Sequence, residues 1–156
     1  MRKALIVALC LESFVGLTAA ESKVDVKWHC EKPTAEKTVE IGDVPGHIYS
    51  LAQGTCEASE SKIGEKTGKY TEFQEGWKSS FNSRGRFIVT LDSGDKVFYT
   101  YDAKGDPVKK TVKENWTIVG DTRKHRGTSA TGTCTGKLND DGSSDWECSR
   151  TTAGAK

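Results

Sequence analysis

The side chains with the chemistry to act as catalysts or ligands are three histidines, five cysteines and a scatter of carboxylates. Imidazoles that share a metal ion usually come from one helical turn or from alternate positions of one strand, because those spacings aim two side chains at one point. His29, His47 and His125 meet neither condition, so each is expected as a solvated surface group. The run Arg123-Lys124-His125-Arg126 could face a phosphate or an acidic partner, but an isolated charge run is ordinarily wet surface, and it reads as a solvated loop. No Gly-x-Ser-x-Gly elbow occurs, which sets aside the serine hydrolases built on one. Asp92, Asp95, Asp140 and Asp141 sit among turn-forming residues, where a short carboxylate bonds its own backbone. A calcium loop needs a longer, regularly spaced ligand set. The motifs therefore imply no metal and no cofactor.

The cysteines say more once the start of the chain is read. Met1-Arg2-Lys3 is followed by the apolar run from Ala4 to Leu11 and, further on, by the small residues Thr18-Ala19-Ala20. Basic, apolar, then small is the order of a secretory leader. Cleavage is expected after Ala20, leaving residues 21–156 as one domain outside the cytoplasm, periplasmic or secreted. A membrane anchor needs roughly 20 uninterrupted apolar residues, and Glu12 breaks the run. Leu9 is too bulky for the position before a lipidated cysteine, so Cys10 is expected to leave with the leader. Arg2, Lys3 and Glu12 leave too, and the remaining charges balance. Nothing then draws the domain to nucleic acid or an anionic membrane.

Cys30, Cys56, Cys134 and Cys148 remain, an even set that reads as two disulfides in an exported chain. No pair has the short spacing of a zinc site. Four cysteines allow three pairings. Asp140-Asp141-Gly142 suits a three-residue hairpin loop with Gly142 in the left-handed conformation. Folding the chain there sets Asn139 opposite Ser143, Gly136 opposite Trp146 and Cys134 opposite Cys148. Directly opposed strand residues lie within disulfide reach, which leaves Cys30 for Cys56.

The elements that must position these residues show period two. Val24, Val26, Trp28 and Cys30 alternate with Lys23, Asp25, Lys27 and His29, the pattern of a half-buried strand. Similar runs occupy 48–56, 70–77, 87–91, 97–101, 116–119, 128–136 and 144–151. Turn-rich stretches separate them, including 92–95, 102–107 and 139–142. No convincing helical stripe occurs, although 34–40 could form a turn or two of helix before Gly42. The expectation is all-β: an antiparallel up-and-down barrel of about eight strands, since closure removes the edges that an open meander exposes.

Twelve large rings in residues 21–156 imply a substantial interior, either packed or lining a cavity. The strand 87–91 joins 97–101 through a short turn, so their alternate side chains line one interior. Trp77, Phe87, Tyr99, Tyr101 and Trp116 are the residues expected to line a ligand cavity. A one-residue error in face would exchange Tyr99 for Phe98.

The segment Gly120-Asp121-Thr122-Arg123-Lys124-His125-Arg126-Gly127-Thr128-Ser129-Ala130-Thr131-Gly132-Thr133-Cys134-Thr135-Gly136 follows a strand with Trp116-Thr117-Ile118. It resembles the closing segment of calycin-like barrels of the allene oxide cyclase type, where Gly-Thr-Gly-Lys-aromatic-x-Gly precedes a glycine-rich final hairpin. The likeness continues into Asp141-Gly142-Ser143, and Gly94 to Tyr101 looks like the family's central strand, so the resemblance spans roughly 46–151. It departs from the pattern at Asp121, Arg123, His125 and Ala130. The family's catalytic motif is not found, so the resemblance implies a calycin-like barrel and not a reaction.

Three functions fit. The first is a barrel that binds a small apolar or amphipathic molecule. The second is an isomerase or cyclase using the same cavity, a reading that rests on the resemblance. The third is a structural or interaction protein with a filled barrel. A closed core would favour the last; a cavity holding a buried, unpaired carboxylate or histidine would favour the second.

Overall fold

Alternation of apolar and polar residues is carried through nearly every strand of the computed structural model, which describes residues 24–122 and 129–151. The expected leader at 1–20, Cys10 and the Arg123 to Arg126 run with His125 lie outside the described residues. The strands are β1 (Val26–Cys30), β2 (Ala35–Glu40), β3 (Ile48–Ser61), β4 (Glu65–Trp77), β5 (Ser80–Leu91), β6 (Lys96–Asp106), β7 (Thr111–Asp121), β8 (Thr131–Leu138) and β9 (Ser144–Arg150). From β3 to β9 each pairs antiparallel with the next in the chain. β1 then pairs with β9 on one side and with the second half of β3 on the other, closing a barrel of eight strands. Among the described residues there is no helix, and so none long and apolar enough to cross a membrane.

β2 corrects the expectation of a helical turn at 34–40. It is a strand laid along the first half of β3, from Ala35 opposite Gln53 to Glu40 opposite Ile48. Because β1 covers only Cys56 to Ser61, the backbone groups of the first half of β3 need a partner, and ladder hydrogen bonds outweigh a weak local helix preference. All six β2 residues are exposed.

Both disulfides have the expected pairing, with Cα–Cα separations of 3.9 Å for Cys30–Cys56 and 4.1 Å for Cys134–Cys148. In each case the cysteines are opposed in the ladder. The hairpin that sets the second register turns as read: Asn139 N–H donates to the Ser143 carbonyl at 2.9 Å, and Gly142 has φ +88°.

The strands are longer than the hydrophobic runs, because interior glycines do not break them. The stretch 102–107 was expected as a turn, but β6 continues to Asp106. Gly105 there faces Phe81 on β5 and lies under its ring. The same arrangement recurs at Gly54 with Tyr70, Gly85 with Tyr101, Gly132 with Trp116 and Gly136 with Trp146, and the Phe87 ring covers Gly68 from the diagonal position, since Gly68 opposes Val89. A methyl group on any of these glycines would collide with its ring. Each ring thus shields backbone that has no side chain of its own. Rings laid against the wall do not fill the lumen.

The packed core lies toward the end of the barrel that carries the 92–95 turn. Val89 is completely buried, and Val97, Ile118, Val26, Trp28 and Tyr99 pack with it.

Candidate functional site

A cavity of ≈ 430 Å³ opens inside the barrel. That volume falls within the range of small-molecule pockets. All five residues expected at such a cavity border it. Tyr99 and Tyr101 are buried on the inner face of β6, whereas Phe98 takes the alternate, outer phase. Phe87 packs edge-on against Trp28 at a centroid distance of 5.0 Å, and Tyr99 meets Trp116 at 5.5 Å in the same manner. Trp77 is different. Its position alternates with Gly76, so it shares the outer phase of β4, and its ring reaches the cavity rim while stacking on His47 at 5.0 Å.

Acidic residues also line the cavity, unanticipated from the sequence. Glu72 projects from β4 in phase with Gly68 and Tyr70, and Glu114 from β7 in phase with Val112 and Trp116. Tyr101 Oη donates to Glu72 Oε2 at 3.2 Å. Tyr99 donates to Glu65, which is also buried. Glu65 reaches the interior through a bulge: Glu65 opposes Leu91 and Thr67 opposes Thr90, so Lys66 is the extra residue. In an unbulged strand, with Lys66 taking its own place in the ladder, Glu65 would share the outward phase of Thr67. Among the described residues, no group hydrogen-bonds or ion-pairs with the Glu114 carboxyl. Glu114 sits deep in the protein, and it keeps some accessible surface because that surface faces the cavity.

These groups form one electrostatic cluster. Burial, and then the charge of Glu72, push the Glu114 carboxyl up to about 8. Glu72 is itself raised, chiefly by burial, while hydrogen bonds from Tyr101 and Ser83 pull it back. Burial and Glu72 push the Tyr70 phenol up to about 12. Tyr101 is raised well beyond its ordinary value by burial and by Glu72 and Glu114. At neutral pH, Glu114 is therefore largely a neutral acid that can donate a hydrogen bond, beside a Glu72 held by two hydroxyl donors. Arg150 is the one basic residue on the lining among the described residues. It is exposed at the end of β9, where its N–H donates to Asp25 at 2.8 Å.

The two described histidines remain apart. His29 faces outward and bonds Asp145 at 2.7 Å. His47 corrects the expectation of a solvated group: it is 7 % exposed, its Nδ1 lies 2.7 Å from Asp43 and its Nε2 3.1 Å from Glu75. Trp77 and the 41–47 connection bury it, an environment that spacing along the chain does not reveal. Among the described residues, no group of histidines, cysteines and carboxylates is arranged to hold a metal ion. Comparison with protein-family models, curated proteins and solved structures gives no match, so the likeness to allene oxide cyclase barrels rests on the glycine-rich motifs alone.

Proposed function

We propose that this protein binds a small amphipathic molecule inside its barrel. The observation that carries the reading is the ≈ 430 Å³ cavity, walled by aromatic rings and bearing carboxyl groups at fixed points. Rings supply the apolar contact area, and a few placed polar groups supply orientation, which is the usual division of labour in a ligand pocket. Trp77, Phe87, Tyr99, Tyr101 and Trp116 are the contact residues in this reading. The leader-like segment at 1–20 and the two disulfides support a secreted or periplasmic setting, where thiols are oxidised. Native mass spectrometry of protein purified from its source tests the reading. A stoichiometric small-molecule adduct is expected; its absence, together with no change in tryptophan fluorescence across a panel of small aromatic compounds, would overturn it.

One observation favours a second reading, an isomerase or cyclase with the chemistry suggested by the allene oxide cyclase resemblance. Glu114 as a neutral acid and Glu72 as a hydrogen-bonded carboxylate are a proton donor and acceptor in one cavity. Incorporation of solvent deuterium into the copurifying molecule, lost in Glu114→Gln, would support this reading over simple binding. A filled structural barrel has the least support, since it would leave no space of this size.

A further inference from the structure

A buried polar group without a partner is rare in a folded protein, because burial removes its water and returns nothing. Glu114 is such a group, and it is aimed into the cavity. Its neighbours do not relieve it. Glu72 comes from β4 and carries the same charge sign, and Tyr101 from β6 is already committed as a donor to Glu72. Trp116, two residues along β7, lies flat over Gly132. Lining residues Asp25, Glu31, Glu65, Glu72 and Glu114 carry carboxyls, against the single exposed cation of Arg150. The lumen is thus an acidic chamber with aromatic walls.

What the chamber would accept follows from this balance. A carboxylate-bearing ligand would bring its charge beside the Glu72 carboxylate and would be disfavoured. A neutral ligand could bond one carboxyl but would leave the Glu72 charge, and the cost it sets on ionising Glu114, in place. A compact cation would satisfy both at once, since an ammonium has several donors, offsets the Glu72 charge and lets Glu114 ionise beside it. The walls add to this, because aromatic faces attract cations and the effect grows where water is excluded.

We infer that the ligand is an aromatic amine, its ammonium group held between Glu72 and Glu114 and its ring against the aromatic wall. This rests on the binding reading above. It adds the chemical class of the ligand and the residues that select it.

Three probes of one shape separate the possibilities: phenethylamine, its neutral isostere propylbenzene, and the anion hydrocinnamate. Each is titrated into the disulfide-intact protein at neutral pH and followed by tryptophan fluorescence, because Trp28, Trp116 and Trp146 border the cavity. Phenethylamine is expected to bind about tenfold or more tighter than propylbenzene, and hydrocinnamate weakest of all. In Glu114→Gln the gap between phenethylamine and propylbenzene should close to about twofold. The same comparison in Glu72→Gln guards against a single variant that fails to fold. Equal binding of phenethylamine and propylbenzene, or preference for hydrocinnamate, would overturn the inference and leave the binding reading standing. No response to any probe, with no adduct on the native protein, would overturn the binding reading itself.

Discussion

Replacing Glu114 by glutamine should change how stability depends on pH, and the sign follows from the cavity. In the folded wild type the carboxyl is raised from an ordinary 4.5 to about 8, by burial and by Glu72. Between those values the folded protein holds a proton that the unfolded chain has released. Stability must therefore fall as pH rises through this window, and the loss is complete above about 8. At about 1.4 kcal/mol for each pH unit, the full penalty is on the order of 5 kcal/mol, an upper value because solvent reaching the carboxylate reduces it. Glutamine keeps the shape and cannot ionise, so the penalty disappears in the variant. The assay is urea unfolding of both proteins, disulfides intact, from pH near 4.5 to about 9. Taking the variant minus the wild type cancels the groups common to both, including the raised His29 and His47. The titratable groups coupled to Glu114 are Glu72 from β4 and Tyr101 from β6, and both are present in both proteins. The difference should be flat at the acid end and grow by several kcal/mol toward pH 8. A difference that stays constant within about 1 kcal/mol across the range would refute the assignment of Glu114 as a buried, uncompensated acid.

Further outcomes follow from the same geometry. Tyr101→Phe keeps the ring over Gly85 but removes the donor to Glu72; a loss of about 1–3 kcal/mol is expected in urea unfolding at neutral pH, and no loss would mean that the bond does not form. Gly132→Ala drives a methyl into the Trp116 ring and the Ser149 carbonyl, and should destabilise by about 1–3 kcal/mol with a shift in tryptophan emission. His47, raised by the Asp43 hydrogen bond and also by Glu75, should titrate above 6.5 when followed by NMR. Its contribution to stability is present below 6.5 and fades as pH rises through the raised value. An imidazole titrating at or below 6.5 would mean that these carboxylates do not hold it.

The parts of this fold that depend on local rules could be read from residues in order. The loop Asp140-Asp141-Gly142 fixed one hairpin, and counting outward from it placed Cys134 opposite Cys148. Simple alternation put Tyr99 and Tyr101 inside. Where a long-range partner decides, the chain alone misleads. β2 is extended because half of β3 lacked another partner, and nothing within Ala35 to Glu40 announces that. Glu65 is inward only because Lys66 is an inserted residue, and a bulge has no reliable mark in one sequence. Glu72 and Glu114 were legible in principle. Extending the phase back from Trp116 reaches Glu114, and extending it from Tyr70 reaches Glu72, but an acid on an inward phase is ordinarily taken as the end of the buried stretch. His47 was hidden for another reason: its cover comes from Trp77, thirty residues away in the chain.

The rings resting on glycines have a consequence for how such a protein can change. Exchanging Phe81, Phe87 or Trp146 for a smaller side chain would enlarge the chamber on one side while leaving every ladder hydrogen bond untouched. The glycine beneath has no side chain to rearrange, and strand register is carried by the backbone. The scaffold and the shape of the chamber are thus specified by separate residues. A lineage could reshape the chamber one ring at a time, with Glu72 and Glu114 kept in place.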